Sequence, residues 1–151
     1  MTLYQELSDH AGRAARAFLE EKEAGRAIAL RLKGKVEAYL EAPSGKIRFA
    51  RLDADSNVVG EPADDPDPTQ SGSGAWNVGL HVELGCEGFW SLLVLKLSIN
   101  AKASEVVLRT RHRICIADET SWDSLVREVE SSIRSALDVP GSEPTFGFNV
   151  R

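Results

Sequence analysis

The chain has 151 residues, of which 42% are hydrophobic and 27% are charged, and these figures are typical of one compact soluble domain. They exclude collagen-like, disordered and membrane-spanning classes of protein. Its 23 acidic residues outnumber its 18 Lys and Arg, and the formal net charge of -5 argues against a surface devoted to nucleic acid or anionic membrane. Two cysteines are too few for a disulfide framework, so a cytoplasmic location is expected.

The first 41 residues are predicted to form a helical segment, because their apolar residues recur at three- and four-residue spacing. The first stripe of this kind consists of Leu3, Leu7, Ala11, Ala14 and Phe18. Gly25 interrupts the pattern, so the segment is either one long bent helix or two helices that break near this glycine. A third interpretation makes residues 36–40 the first arm of a β-hairpin, since apolar and polar residues also alternate there ahead of a Pro-Ser-Gly turn.

Residues 46–116 are predicted to form an antiparallel sheet of four to five strands. Residues 46–52 alternate in hydrophobicity and precede a cluster of turn-forming residues, so they predict a strand that ends in a turn. Residues 60–75 contain three prolines, several acids and a Ser-Gly-Ser-Gly run, without apolar periodicity. This composition predicts a mobile acidic loop.

The clearest strand pattern begins at Trp76, where apolar residues alternate with others as far as Leu84. Residues 89–100 and 105–116 follow as two long strands with short connections, which predicts a three-stranded antiparallel meander. The simplest register gives cross-strand pairs such as Leu80 with Leu93 and Leu97 with Leu108.

Residues 119–138 have the period of an amphipathic helix that ends before Pro140. Its apolar stripe comprises Trp122, Val126, Val129, Ile133 and Leu137. Residues 142–151 alternate again and predict an extended tail at a sheet edge. The expected fold class is therefore α+β over a single domain, residues 1–151, with the C-terminal helix packed on one sheet face.

The second face of the predicted sheet carries an unusual set of side chains. Trp90, Leu92 and Val94 lie on its middle strand, and leaving them in water would forgo about 1.5–3 kcal/mol each. The neighbouring strands add the flanking residues of a candidate binding surface: His81, Glu83, Arg109, Arg111 and Arg113. The N-terminal helical segment is the first expectation for covering this face, and a second copy of the chain, in a homodimer, is the next.

Arg109, Arg111 and Arg113 alternate along one predicted strand, which places three guanidinium groups on one face about 7 Å apart. A row of this kind suits phosphates or carboxylates, so binding of an anionic ligand or nucleic acid is the alternative function. The more ordinary interpretation is a solvated face whose arginines pair with the protein's own acids.

The sequence contains no recognisable catalytic, metal-binding or cofactor-binding motif. Residues 53–57 begin like a calcium loop, but Val58 stands where such a loop requires glycine. An unfamiliar enzyme that uses His81, Glu83 and Cys115 is a third hypothesis. The leading hypothesis is a non-catalytic protein–protein interaction module, which means an adaptor, a chaperone-like binder or an assembly subunit, with no cofactor, no metal and no membrane partner.

Overall fold

A computed structural model describes residues 1–86, 89–108, 113–138 and 145–148, and it describes only the main chain of residues 86, 89–91 and 145–148. The helices are α1 (Leu3–Leu40) and α2 (Glu119–Asp138). The strands are β1 (Ile47–Leu52), β2 (Val58–Ala63), β3 (Thr69–Gln70), β4 (Trp76–Cys86), β5 (Phe89–Asn100), β6 (Glu105–Leu108), β7 (Arg113–Cys115) and β8 (Thr145–Phe148). In this part of the chain, no helix combines the length and apolar character that crossing a bilayer requires.

All strands join one antiparallel sheet in the order β2-β1-β4-β5-β6-β7, with β3 also paired to β4 and β8 also paired to β5. One helix precedes the strands and a second follows β7, and both pack against the sheet, so the predicted α+β class is confirmed. The sheet has eight strands where four to five are predicted, because several short segments extend a core of longer strands. The edge pairing predicted for the tail is found at β8, which lies beside the first half of β5.

The N-terminal segment is one continuous helix. It begins at a capping box, in which the Thr2 hydroxyl accepts a hydrogen bond from the Gln5 amide at 3.2 Å and the Gln5 side chain accepts one from the Thr2 amide at 2.9 Å. Gly25 does not break α1, because this glycine is buried against Trp76 and tertiary packing offsets its helix-propensity cost of about 1 kcal/mol. Residues 36–40 form the last turn of α1, so the hairpin interpretation is wrong.

Both helices pack on the same face of the sheet. Ala29, Leu32 and Val36 of α1 and Trp122, Leu125 and Val129 of α2 join one buried cluster with the apolar residues of β4 and β5. The expectation that the N-terminal segment covers the second face is therefore wrong. That face presents charged groups on three strands, Arg48, Glu83 and Lys96, and burying them under an apolar stripe would cost more than packing the stripe on the core face.

The pairing of β4 with β5 differs by two residues from the simplest register. Leu80 pairs with Leu95 and Val82 with Leu93, because the strands run on to Cys86 and Phe89 before the connection begins. A slip of two residues leaves each side chain on its predicted face, since side chains alternate with a period of two. The predicted core face of β4 is accordingly buried, with Trp76, Val78, Leu80 and Val82 at most 1% exposed.

The predicted third strand, residues 105–116, is divided. β6 pairs with β5 as predicted, with Leu108 opposite Leu97, but β7 runs back along β6 and places Arg113 opposite Val107. The predicted pair of Ile116 with Phe89 is therefore wrong, since Phe89 pairs with Phe148, whereas the pairs predicted for Thr110 and His112 lie outside the described residues. Apolar alternation on both sides of the reversal imitates one long strand, because a hairpin and a continuous strand have the same period.

The predicted acidic loop, residues 60–75, contains part of β2 and all of β3. β2 is an edge strand, and proline is tolerated at an edge because its missing N–H need not bond to a further strand. The acids between these strands pair with basic residues of α1 and β1: Asp64 with Arg48 at 3.5 Å, Asp65 with Arg26 at 3.3 Å, and Asp67 with Lys22 at 3.0 Å and Arg51 at 3.3 Å. These ion pairs hold residues 64–67 against β1 and α1, although the segment has no large apolar side chains to pack there.

Candidate functional site

The structure places the central residues of the predicted sheet-face surface next to one another. His81 pairs with Val94 and Glu83 pairs with Leu92 on the face that neither helix covers. The backbone of Trp90 lies in β5 opposite Gly85, whereas its side chain is outside the described part of the structure.

This open sheet face is less apolar than the sequence suggests. Leu92 and Val94 are half-buried, and charged side chains at both ends of this face are paired within the chain. Lys46 contacts Glu83 at 3.3 Å, and Glu105 contacts Arg113 at 3.1 Å. An outer face of this kind is compatible with solvent, since about half of any protein surface is apolar.

The arginine row does not exist as one strand. Arg113 is exposed on β7, whose direction is opposite to that of β6, and its guanidinium pairs with Glu105. Arg109 and Arg111 lie outside the described residues. Of the three arginines, the described residues therefore place only Arg113 in the sheet, on a strand that runs antiparallel to β6.

His81 is the one group on this face, among the described residues, with a buried polar atom that lacks a hydrogen-bond partner, its Nδ1. Burial lowers the pKa of His81 below its ordinary value of 6.5, the Glu83 carboxylate opposes this shift, and the Arg48 guanidinium adds to it. The fold therefore favours the neutral imidazole.

The stability of the protein is expected to fall as the pH is lowered from about 7.5 to about 5.5. In this window the unfolded chain takes up a proton on His81 that the folded chain resists, so protonation favours unfolding; above about pH 7.5, where the imidazole is neutral in both states, the effect vanishes. Urea denaturation of the wild type, His81→Gln and His10→Gln measures it. His81→Gln is expected to flatten the profile, whereas His10→Gln, at an exposed position of α1, leaves it unchanged; equal profiles would contradict this account.

The three residues of the enzyme hypothesis are not assembled. His81 and Glu83 lie on β4, but Cys115 is exposed on β7, three strands and about 14 Å away across the sheet. The described residues also contain no group of three or more His, Cys, Asp and Glu that could hold a metal ion. Nothing in this arrangement brings a nucleophile and a base within hydrogen-bond distance.

A cleft of about 560 Å³ lies between the C-terminal ends of both helices and strands β1 and β4. Its apolar lining consists of Leu40, Ile47, Val82, Leu84, Ile133 and Leu137. Polar groups at its rim already have partners: Tyr39 donates a hydrogen bond to Glu130 at 2.6 Å, and Lys46 pairs with Glu83. The cleft thus offers apolar area without convergent polar groups that would orient a ligand.

Six of the eleven exposed large apolar side chains among the described residues lie in a segment that the sequence interpretation did not single out as a binding surface. Residues 1–19 of the chain, hereafter the projecting segment, are exposed apart from the partly covered Gly12. The segment includes Leu3 at 70%, Tyr4 at 79%, Leu7 at 59% and Leu19 at 62% exposure. Burial of α1 begins only at Glu21, whose carboxylate accepts a hydrogen bond from Trp76 Nε1 at 3.1 Å.

The sequence does contain a signal for the exposure of the projecting segment. The stripe of the projecting segment continues without a change of phase into the buried stripe of Gly25, Ala29, Leu32 and Val36. At 38 residues, α1 is about 57 Å long, whereas β4 with 11 residues spans only about 36 Å. A helix that exceeds the sheet beneath it by this much must leave part of its stripe uncovered.

Comparisons of the chain with family models, with curated proteins and with solved structures found no match.

Proposed function

We propose that the protein is a non-catalytic protein-interaction module, an adaptor or assembly subunit whose binding element is the projecting segment of α1. The observation that carries this proposal is the exposure of Leu3, Tyr4 and Leu7 on one side of a helix that no other described element covers. Exposed apolar stripes of this kind are typical of protein-binding surfaces. An amphipathic helix that offers anchors at i, i+3, i+4 and i+7 is also a common recognition element.

The rest of the fold supports this function because it holds the segment rigidly. Phe18 packs on Trp76 with ring centroids 5.0 Å apart, and Glu21 accepts the indole hydrogen bond. The capping box at Thr2 and Gln5 satisfies amides at the free end. A segment that is already helical loses less conformational entropy on binding than a disordered one.

The base of the helix is fixed by α2 as well. Arg31 lies 4.6 Å from the Trp122 ring centroid, and Lys35 contacts Glu119 at 2.9 Å. Arg31 forms a second ion pair with Glu119. These contacts bind the buried half of α1 to the body, so the direction of the projecting segment is set by the fold.

The sheet face on which the sequence hypothesis depended is a weaker candidate for the same function. Leu92 and Val94 are half-buried there, whereas Leu3 and Tyr4 are at least 70% exposed. Burial of a fully exposed side chain gains more free energy than burial of a half-covered one. Binding of an anionic ligand or nucleic acid through Arg109, Arg111 and Arg113 stays a prediction.

The test is site-specific photocrosslinking in cells that express the full chain. The photoreactive residue p-benzoylphenylalanine replaces Leu7 in one variant and Arg13 in another; Arg13 lies about 120° around the helix from Leu7. Crosslinked protein adducts are expected from the Leu7 variant and not from the Arg13 variant, as read by mass spectrometry. Absence of adducts from position 7, or equal adducts from both positions, would contradict the proposed function.

A further inference from the structure

We infer that the partner of the projecting segment is a second copy of this chain, bound antiparallel about a twofold axis that passes Ala11. The inference rests on the proposed function and names its partner. The largest exposed apolar residues at the two ends of the segment are arranged symmetrically about Ala11. Positions equally distant from it carry similar side chains: Leu3 and Leu19, Tyr4 and Phe18. In a twofold interface the same surface of both copies is in contact, so a residue i that packs on residue j of the partner implies a second, identical contact of j on i. The surface must therefore be complementary to itself.

The sizes of the side chains also fit a crossing at this point. Ala11, Gly12, Ala14 and Ala15 occupy the middle of the segment, and larger side chains stand at both ends. Two helix backbones can therefore approach closely at the axis. On either side of it, Tyr4 of one copy lies level with Phe18 of the other, and Leu3 lies level with Leu19.

The length of the segment sets the same registration. Residues 3–19 span about 24 Å at 1.5 Å per residue. In the antiparallel pair, Thr2 of one copy lies level with Glu20 of the other, immediately before Glu21 and Trp76, where the body begins. The pairing thus uses the exposed stripe from Leu3 to Leu19 without an overhang, and it brings Tyr4 of one copy to the level of the Phe18–Trp76 contact of the other.

The order of charges favours the antiparallel orientation. Acidic residues occupy the first half of the segment, Glu6 and Asp9, and basic residues occupy the second half, Arg13 and Arg16. An antiparallel pair places Glu6 level with Arg16 and Asp9 level with Arg13, whereas a parallel pair places like charges level with each other. These side chains lie on the outer faces of the helices, more than a Debye length from their level counterparts, so salt screens them and the preference for the antiparallel orientation that they give is small.

The oligomeric mass of the full chain tests the inference, measured by sedimentation equilibrium from about 1 to 200 µM. A reversible monomer–dimer equilibrium is expected. Ala11→Glu places two carboxylates at the axis and is expected to raise the dimer Kd at least tenfold. The matched control is Ala17→Glu, the same change about 120° around the same exposed helix from Ala11, and it is expected to leave the Kd within about twofold. Circular dichroism and the melting temperature show whether both variants stay folded.

Disulfide trapping tests the orientation, in a chain that carries Cys86→Ser and Cys115→Ser. A mixture of the Tyr4→Cys and Phe18→Cys proteins is expected to form a mixed disulfide dimer, and Tyr4→Cys alone is expected to form none. A parallel pair would give the reverse result and overturn the inference.

A monomeric mass of the unaltered chain at the highest concentration also overturns the inference, as does a dimer that Ala11→Glu leaves intact. If the chain is monomeric but the crosslinker at position 7 captures a different protein, self-pairing is wrong and the proposed function stands. If both experiments are negative, the proposed function fails as well.

Discussion

Replacement of Trp76 by alanine is expected to lower the free energy of unfolding by about 3–5 kcal/mol. Trp76 is 1% exposed and lies at the start of β4, where it contacts Phe18 and Gly25 of α1 and donates its indole hydrogen bond to Glu21. The substitution removes a large buried side chain and leaves a cavity between the helix and the sheet. It also removes the contact at which the projecting segment meets the body.

Urea denaturation followed by circular dichroism measures this loss at one fixed protein concentration, because self-association would make stability concentration-dependent. Trp76→Phe, which keeps a ring but loses the hydrogen bond, is expected to cost less than the alanine variant. Val58→Ala is the control, at an edge-strand position that is 47% exposed, and its expected change is within about 0.5 kcal/mol. A loss below about 1 kcal/mol for Trp76→Ala would show that this contact does not anchor α1.

Gly79→Ala is expected to destabilise the protein by about 1–3 kcal/mol, although a glycine-to-alanine change in a strand ordinarily stabilises it. A Cβ atom at this position would lie 2.9 Å from Ala50 Cβ, 3.1 Å from the Ala50 carbonyl oxygen and 3.1 Å from Val94 Cγ1. Distances this short require β1 or β5 to move away from β4. The absent side chain at Gly79 therefore lets three strands of the open face approach one another.

The control for this prediction lies on the same strand. A Cβ atom at Gly85 meets nothing within 4 Å, so Gly85→Ala is expected to be neutral or slightly stabilising in the same denaturation experiment. The double variant Gly79→Ala with Ala50→Gly is expected to recover part of the loss, since it removes the closest contact. Equal stabilities of the Gly79 and Gly85 variants would rule out the steric explanation.

Local patterns in the sequence predict most of the elements correctly. The period of two in β4 and the period of 3.6 in α2 give both the type of element and the face that is buried, as the burial of Trp76, Val78 and Trp122 shows. The two-residue error in the register of β4 with β5 leaves this result unchanged, because an even slip preserves the faces.

The candidate site was harder to predict. It depends on where the chain reverses direction and on which part of a helix has no other element packed against it. The alternation across residues 105–116 is the same for one strand and for a hairpin, so the sequence could not reveal that Arg113 leaves the line of Leu108. Similarly, Leu3 and Leu32 belong to stripes of the same period, yet one is 70% exposed and the other is fully buried. Hydrophobic periodicity identifies a face that can be buried, and it does not say whether anything lies opposite that face.

The spacing of apolar residues along a few turns or a few pleats is enough to predict the α+β class, both helices and the core face of the central strands. That α1 and α2 share one sheet face follows instead from tertiary contacts, because the charges of Arg48, Glu83 and Lys96 come together on the other face only when three strands pair. It also decided that residues 1–19 project. β4 begins at Trp76, whereas α1 extends past its contact with Trp76 toward the N-terminus of the helix. How far one element extends past another depends on where the two pack together, and local apolar spacing does not give that position.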